Sequence, residues 1–238
     1  MLILLAIMPA AASAGERCPS TGHSVVVSSA PPDDHALICA GARQALQRLE
    51  QCAIAPKQSI TINVLSEVRH PLAGLIFGYY DLEKRHIALS RLESIPELMK
   101  DTPYEGVPYR EFYQSLAVHE VVHSVMHQNL KRPARSQTAY EYPAYALQIA
   151  SLPPDARARF LKSFDGGRIK TAEPFSDTIL SFAPYFFAAR AHDHFVTSPD
   201  GCARLRAVMT GDGDFVAAQS GSNGASQARR APEDHPNR

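Results

Sequence analysis

An α+β fold, in which a small N-terminal mixed sheet with one helix is followed by a helical C-terminal half, is predicted by three features of this 238-residue sequence. Short apolar runs before residue 90 alternate with a period of two, as half-buried strands do. After about Arg110 the apolar residues recur at helical spacing in longer runs. The 45% hydrophobic content is enough for the core of one domain of this length.

The elements follow in order. Val25–Ser28 is a β-branched run and predicts a strand. Pro31-Pro32-Asp33-Asp34 predicts a turn and a helix start, because acidic residues suit the positive end of the helix dipole. From His35 to about Gln51, Leu37, Ile38, Ala42, Ala45, Leu46 and Leu49 share a helical face. Ser59–Leu65 alternates as a half-buried strand, and Leu75–Tyr80 and His86–Leu89 are two further strands joined by the polar connection 81–85. Helices are predicted over 110–129, 137–151, 154–164, 176–182, 184–195 and 200–209. Residues 15–216 form a single domain on this reading. The stretch 217–238, rich in Ser, Gly, Asn, Ala and Pro without apolar periodicity, predicts a disordered tail.

Composition removes some functions. Lys and Arg number 24 and Asp and Glu 24, so there is no global basic field, and Trp is absent. Nucleic acid is therefore not the expected partner. Met1–Met8 is apolar and runs into Ala12-Ser13-Ala14, the small-residue ending of a signal peptide cleaved after Ala14. This uncharged stretch falls short of the ~20 residues that span a bilayer, so no stable membrane insertion is expected after cleavage. Four cysteines, at 18, 39, 52 and 202, then suit an oxidising compartment, periplasmic or secreted, with two disulfides and three pairings open. None lies in a CxxC, which argues against a zinc knuckle or a thioredoxin-like redox centre.

The chemistry concentrates in Leu116-Ala117-Val118-His119-Glu120-Val121-Val122-His123-Ser124-Val125, which contains HExxH. On a helix, His119 and His123 project from one face about 6 Å apart along the axis, where two imidazoles can converge on one Zn²⁺. Glu120 then points to the side of the attacking water and can take its proton. With ten His in the chain, the bare pattern is expected by chance only about 0.02 times, and the flanks hold no charge, Pro or Gly. A catalytic zinc wants a third protein ligand. The long metzincin pattern is excluded, because Met126 and Asn129 stand where it needs Gly and His. His127 is on the same face but ~12 Å from His119, so it lines the cleft rather than sharing the metal. Glu141, eighteen positions after His123, lies on the next predicted helix, which can return antiparallel and present a carboxylate. His192, Asp193 and His194 remain alternatives, on backbone read as extended.

With HExxH and Glu141, the segment resembles the zincin metallopeptidases of the gluzincin type, over about 30 residues. The resemblance implies a zincin-like fold, His119, His123 and Glu141 as zinc ligands, and Glu120 as general base and acid. Thermolysin-like members carry an Asp four residues after the ligand Glu to orient the first His; here that position is Tyr145. Tyr145, one turn after Glu141, is the nearest candidate to stabilise a developing oxyanion, with Tyr185 and His194 as others. In zincins an edge strand also pairs with extended substrate, a role open to His86–Leu89 or Leu75–Tyr80. The expected activity is zinc-dependent hydrolysis of a peptide or protein substrate, or of another amide. The competing expectation is a non-catalytic binding protein whose metal staples two helices.

Overall fold

The computed structural model describes residues 15–19, 21–70, 74–134, 136–164 and 175–212; the expected signal peptide and tail lie outside them. A mixed α+β architecture results. β1 (Glu16–Arg17), β2 (Val25–Ser28), β3 (Ile60–Leu65), β6 (Gly78–Asp81) and β7 (His86–Ser90) form one sheet in the order β1-β2-β3-β7-β6. The neighbours β2, β3 and β7 run parallel, while β1 and β6 close the two edges antiparallel. Parallel strands must be covered, and Ile60, Ile62, Val64, Ile87 and Leu89 are all buried.

The expected strand Leu75–Tyr80 divides in two at Phe77. β5 (Gly74–Ile76) leaves the main sheet to pair with β4 (Val68–His70), and β6 alone continues beside β7. Ser90 causes the division: its buried hydroxyl accepts from the Val68 N–H and donates to the Ile76 carbonyl, in place of ladder bonds. His86–Leu89 is therefore an inner strand, paired on both sides by β3 and β6, and cannot be the substrate-facing edge. That edge is β6.

α1 (Pro32–Gln51) crosses from β2 to β3 and lays Ile38, Ala42, Ala45 and Leu49, all 0% exposed, into the core. Burying each such Ile or Leu contributes about 1.5–3 kcal/mol. Gly41 permits close approach to α3 (Tyr109–Asn129), since a Cβ there would collide with the Gln114 carbonyl and the Ala117 methyl. Asp34, buried at the start of α1, accepts from the Leu92 N–H at 2.9 Å and the Tyr113 hydroxyl at 3.3 Å. It thereby ties α1 to α3 and to the turn before α2 (Ile95–Met99).

Every residue of α3 from Ser115 to Met126 is buried, because α1, the β6 edge and α4 (Gln137–Ser151) cover it on different sides. α5 (Pro154–Lys162), α6 (Asp177–Phe182), α7 (Pro184–Thr197) and α8 (Gly201–Thr210) complete the helical half, with α7 packed on α4. Disulfides Cys18–Cys39 and Cys52–Cys202 select one of the three possible pairings. The first clips the β1 edge to α1, and the second joins the end of α1 to α8. No helix among the described residues is long and apolar enough to cross a membrane.

Candidate metal centre

Two helices build the centre. α3 carries His119 and His123 one turn apart. α4 starts on Ser136, whose hydroxyl accepts from the Ala139 N–H, and brings Glu141 opposite. Asp177 reinforces that helix start by accepting from both the N–H and the hydroxyl of Thr138. The Nε2 atoms of His119 and His123 lie 3.0 Å apart, and the Glu141 carboxylate lies 3.3 Å from the first and 3.5 Å from the second.

The tautomer of His119 follows from its partner. Its Nδ1 is 2.9 Å from the Gln148 Oε1, which can only accept, so Nδ1 carries the proton and Nε2 holds a lone pair. Three electron-pair donors converging at these separations need a cation, a proton or a metal ion, between them. Ligands held 2.0–2.1 Å from a tetrahedral zinc stand ~3.3 Å from one another, and the side chains already keep that spacing. The donor set, two imidazoles and a carboxylate, also suits zinc with one position left for chemistry. A second grouping, Cys18, His35 and Cys39, offers no thiolate, because its two sulfurs are joined.

Around the triad the electrostatics are uneven. Burial pushes the Glu141 carboxyl up, but the two imidazoles facing it, His123 first and then His119, more than reverse this and hold it well below the usual carboxylate range. Glu120, 5% exposed, has a buried Oε2 with no hydrogen-bond partner. Burial, aided by Glu141 and opposed by His119, pushes its carboxyl up to about 7, where a group can both take and return a proton near neutrality.

Aromatic rings enclose the imidazoles. Tyr145 meets His119 edge-on at 4.7 Å, and Tyr140 stacks on His123 at 5.5 Å. The Tyr145 hydroxyl has no hydrogen-bond partner among the described residues, and burial raises its pKa well above the ordinary value, so it remains a donor. Tyr185 packs edge-on against Tyr104, at 5.5 Å. His127 stays apart from the triad, with Nδ1 2.8 Å from the Tyr80 hydroxyl of β6. Burial, then Arg85, lowers its pKa.

The alternative ligands are placed elsewhere. Residues 192–194 are helical, within α7, rather than extended. Both nitrogens of His194 are engaged, Nδ1 with the Tyr142 hydroxyl and Nε2 with Arg204, and Asp193 pairs with Arg190. His192 is buried with an unpartnered Nδ1 and is not grouped with the triad.

Gln148 escaped the sequence reading. It lies one turn beyond Tyr145, so Glu141, Tyr145 and Gln148 share one face of α4 at the i, i+4, i+7 spacing. That stripe, which mixes polar residues into the face turned to α3, is the signal that points to it. The position expected to orient the first His from 145 is thus occupied by a ring, and the orienting acceptor comes from 148.

Residues 25–218 match a protein family described as "Family of unknown function (DUF6639)". No curated protein and no solved structure matches the chain.

Proposed function

The chain belongs to the DUF6639 family, and we propose that it is an exported, zinc-dependent hydrolase of peptide bonds, with a zincin-like fold of the gluzincin kind. One observation carries the reading: the Nε2 atoms of His119 and His123 and the Glu141 carboxylate converge within 3.0–3.5 Å of one another. Zinc bound there would supply Lewis acidity, polarising a carbonyl and acidifying a water.

The chain's own residues do the rest. Gln148 holds His119 in the tautomer whose Nε2 is free to ligate. Glu120, with an unsatisfied oxygen and a pKa of about 7, takes the proton of the attacking water and returns it to the leaving amine. The Tyr145 hydroxyl donates to the oxygen on which charge develops. Tyr140 and Tyr145 keep bulk water from the two imidazoles. The exposed side of β6 offers unpaired backbone groups to an extended substrate. A metal that merely staples two helices gives no reason for Glu120, since a buried carboxyl without a partner destabilises the fold.

Elemental analysis and peptide hydrolysis test the reading together. One zinc per chain in the wild type, sharply reduced in Glu141→Ala, and hydrolysis abolished in Glu120→Gln with zinc retained are the expected results. Full activity in Glu120→Gln, or no zinc after reconstitution, overturns it.

A further inference from the structure

Tyr140, stacked on His123, is also one wall of a cleft of about 680 Å³ at the C-terminal end of α3. Leu82 and Leu130 give the cleft an apolar side, and His127, Lys131 and Arg132 give it a cationic one.

The cleft's carboxylates are spent locally. Asp177 accepts at 2.8 and 2.7 Å from Thr138 at the start of α4, and Asp212 receives Lys131 at 2.8 and 2.7 Å. One guanidinium group has no such hydrogen-bonded counterpart. Arg132 gives its Nε–H to the Gly211 carbonyl and forms no ion pair among the described residues, although its charge adds to the field that lowers the Asp212 pKa.

A chain of hydrogen bonds sets the polarity of His127 as well. The Ser124 hydroxyl accepts from the Gln128 Nε2 and donates to the Tyr80 oxygen, so the Tyr80 proton goes to the His127 Nδ1. The ring therefore carries its own proton on Nε2. Two donors, the Arg132 guanidinium and the His127 Nε2–H, thus line the cleft beside its apolar surface.

We propose that this cleft binds a substrate residue bearing a carboxylate, met by Arg132 and the His127 Nε2–H, at the α3 C-terminal side of the scissile bond. The inference rests on the peptidase reading and names its substrate class. An apolar stem ending in a carboxylate fits the two sides of the cleft. The carboxylate is either an acidic side chain or the C-terminal group of the peptide, and the two sources correspond to an endo- and an exo-acting enzyme. Charge-assisted hydrogen bonds to a guanidinium are among the stronger polar contacts.

The test measures affinity rather than turnover, with the zinc-loaded full chain bearing Glu120→Gln. Three matched peptides are titrated calorimetrically: one with an internal Glu and an amidated C-terminus, its amidated Gln counterpart, and the Gln peptide with a free C-terminus. One carboxylate-bearing peptide is expected to bind at least about tenfold tighter than the amidated Gln peptide. The identity of that peptide assigns the source. Adding Arg132→Gln, at an exposed position, should erase the preference with zinc content unchanged. Adding Arg132→Glu instead should turn it toward a Lys-bearing peptide. Equal affinity for all three peptides, a preference that survives both variants, or no binding at all overturns the proposal. Casein hydrolysis by the zinc-loaded wild type separates the two readings. Cleavage without carboxylate preference removes only the cleft assignment, whereas its absence removes the peptidase reading too.

Discussion

Replacing Gln148 with Leu removes the partner that the His119 Nδ1 has among the described residues, a bond of 2.9 Å between two side chains that are 2% and 8% exposed. Leu fills similar space but accepts nothing, so the imidazole has two poor choices. It can keep the proton on Nδ1, buried and unsatisfied, which costs about 1–3 kcal/mol. It can instead move the proton to Nε2, the nitrogen that faces His123 and Glu141, where it competes directly with a metal. Either way zinc affinity should fall about 10- to 100-fold. Gln148→Glu preserves an acceptor in the same place and should stay within a few fold of the wild type. Competition against a fluorescent chelator measures the affinities, and urea unfolding of the metal-free proteins measures the stability change. A Gln148→Leu protein that binds zinc within about threefold of the wild type would refute the account of how His119 is held.

Other outcomes follow from the same geometry. The Glu120 carboxyl titrates at about 7 in the fold against 4.5 as the ordinary value, so the metal-free wild type loses stability as pH rises between those values. Glu120→Gln lacks that loss and should be more stable by about 3 kcal/mol above neutrality, with the gap closing toward pH 4.5; urea titrations at several pH values read this directly. Tyr145→Phe should lower kcat by about 10²-fold or more with little change in KM or zinc content, as expected for a donor used only as charge develops. Cys52–Cys202 closes a separation of 150 residues and Cys18–Cys39 one of 21. Chain entropy then predicts a loss of about 5 kcal/mol for the Cys52→Ser/Cys202→Ser pair and about 3 kcal/mol for the other, compared by denaturant midpoints.

The legible parts of this molecule are those set by local periodicity. Helices α3 and α4 lie within a residue of their expected limits because their apolar faces repeat over four or more turns. Short elements escaped for the opposite reason: the two residues of β1, the three of β4 and the five of α2 hold too few side chains to show a period. The break at Phe77 is a tertiary event, made by the Ser90 hydroxyl fourteen positions from Ile76, and no alternation within 75–80 announces it. At the centre, His119 and His123 were fixed by spacing on one helix. Glu141 needed the return path of the next helix, and only the structure shows its carboxylate facing both imidazoles. Gln148 was missed because an amide on a largely buried helix looks like an ordinary polar position until the ring opposite it is known. The helix expected over 184–195 ends within two residues of α7, held against α4 by Phe187, Ala188 and Ala191; only the extended backbone given to 192–194 as a metal pair was wrong, because it set three polar residues apart from the helical period around them.

The Cys52–Cys202 bond has a consequence for survival among proteases. It encircles α3, α4 and α7 in one covalent ring, so a single backbone cut anywhere between those cysteines opens the ring without releasing a fragment. His119, His123 and Glu141 would stay on one molecule of unchanged mobility in a non-reducing gel, and the nick would show only after reduction. A chain closed in this way is scarred by such a cut without being dismantled.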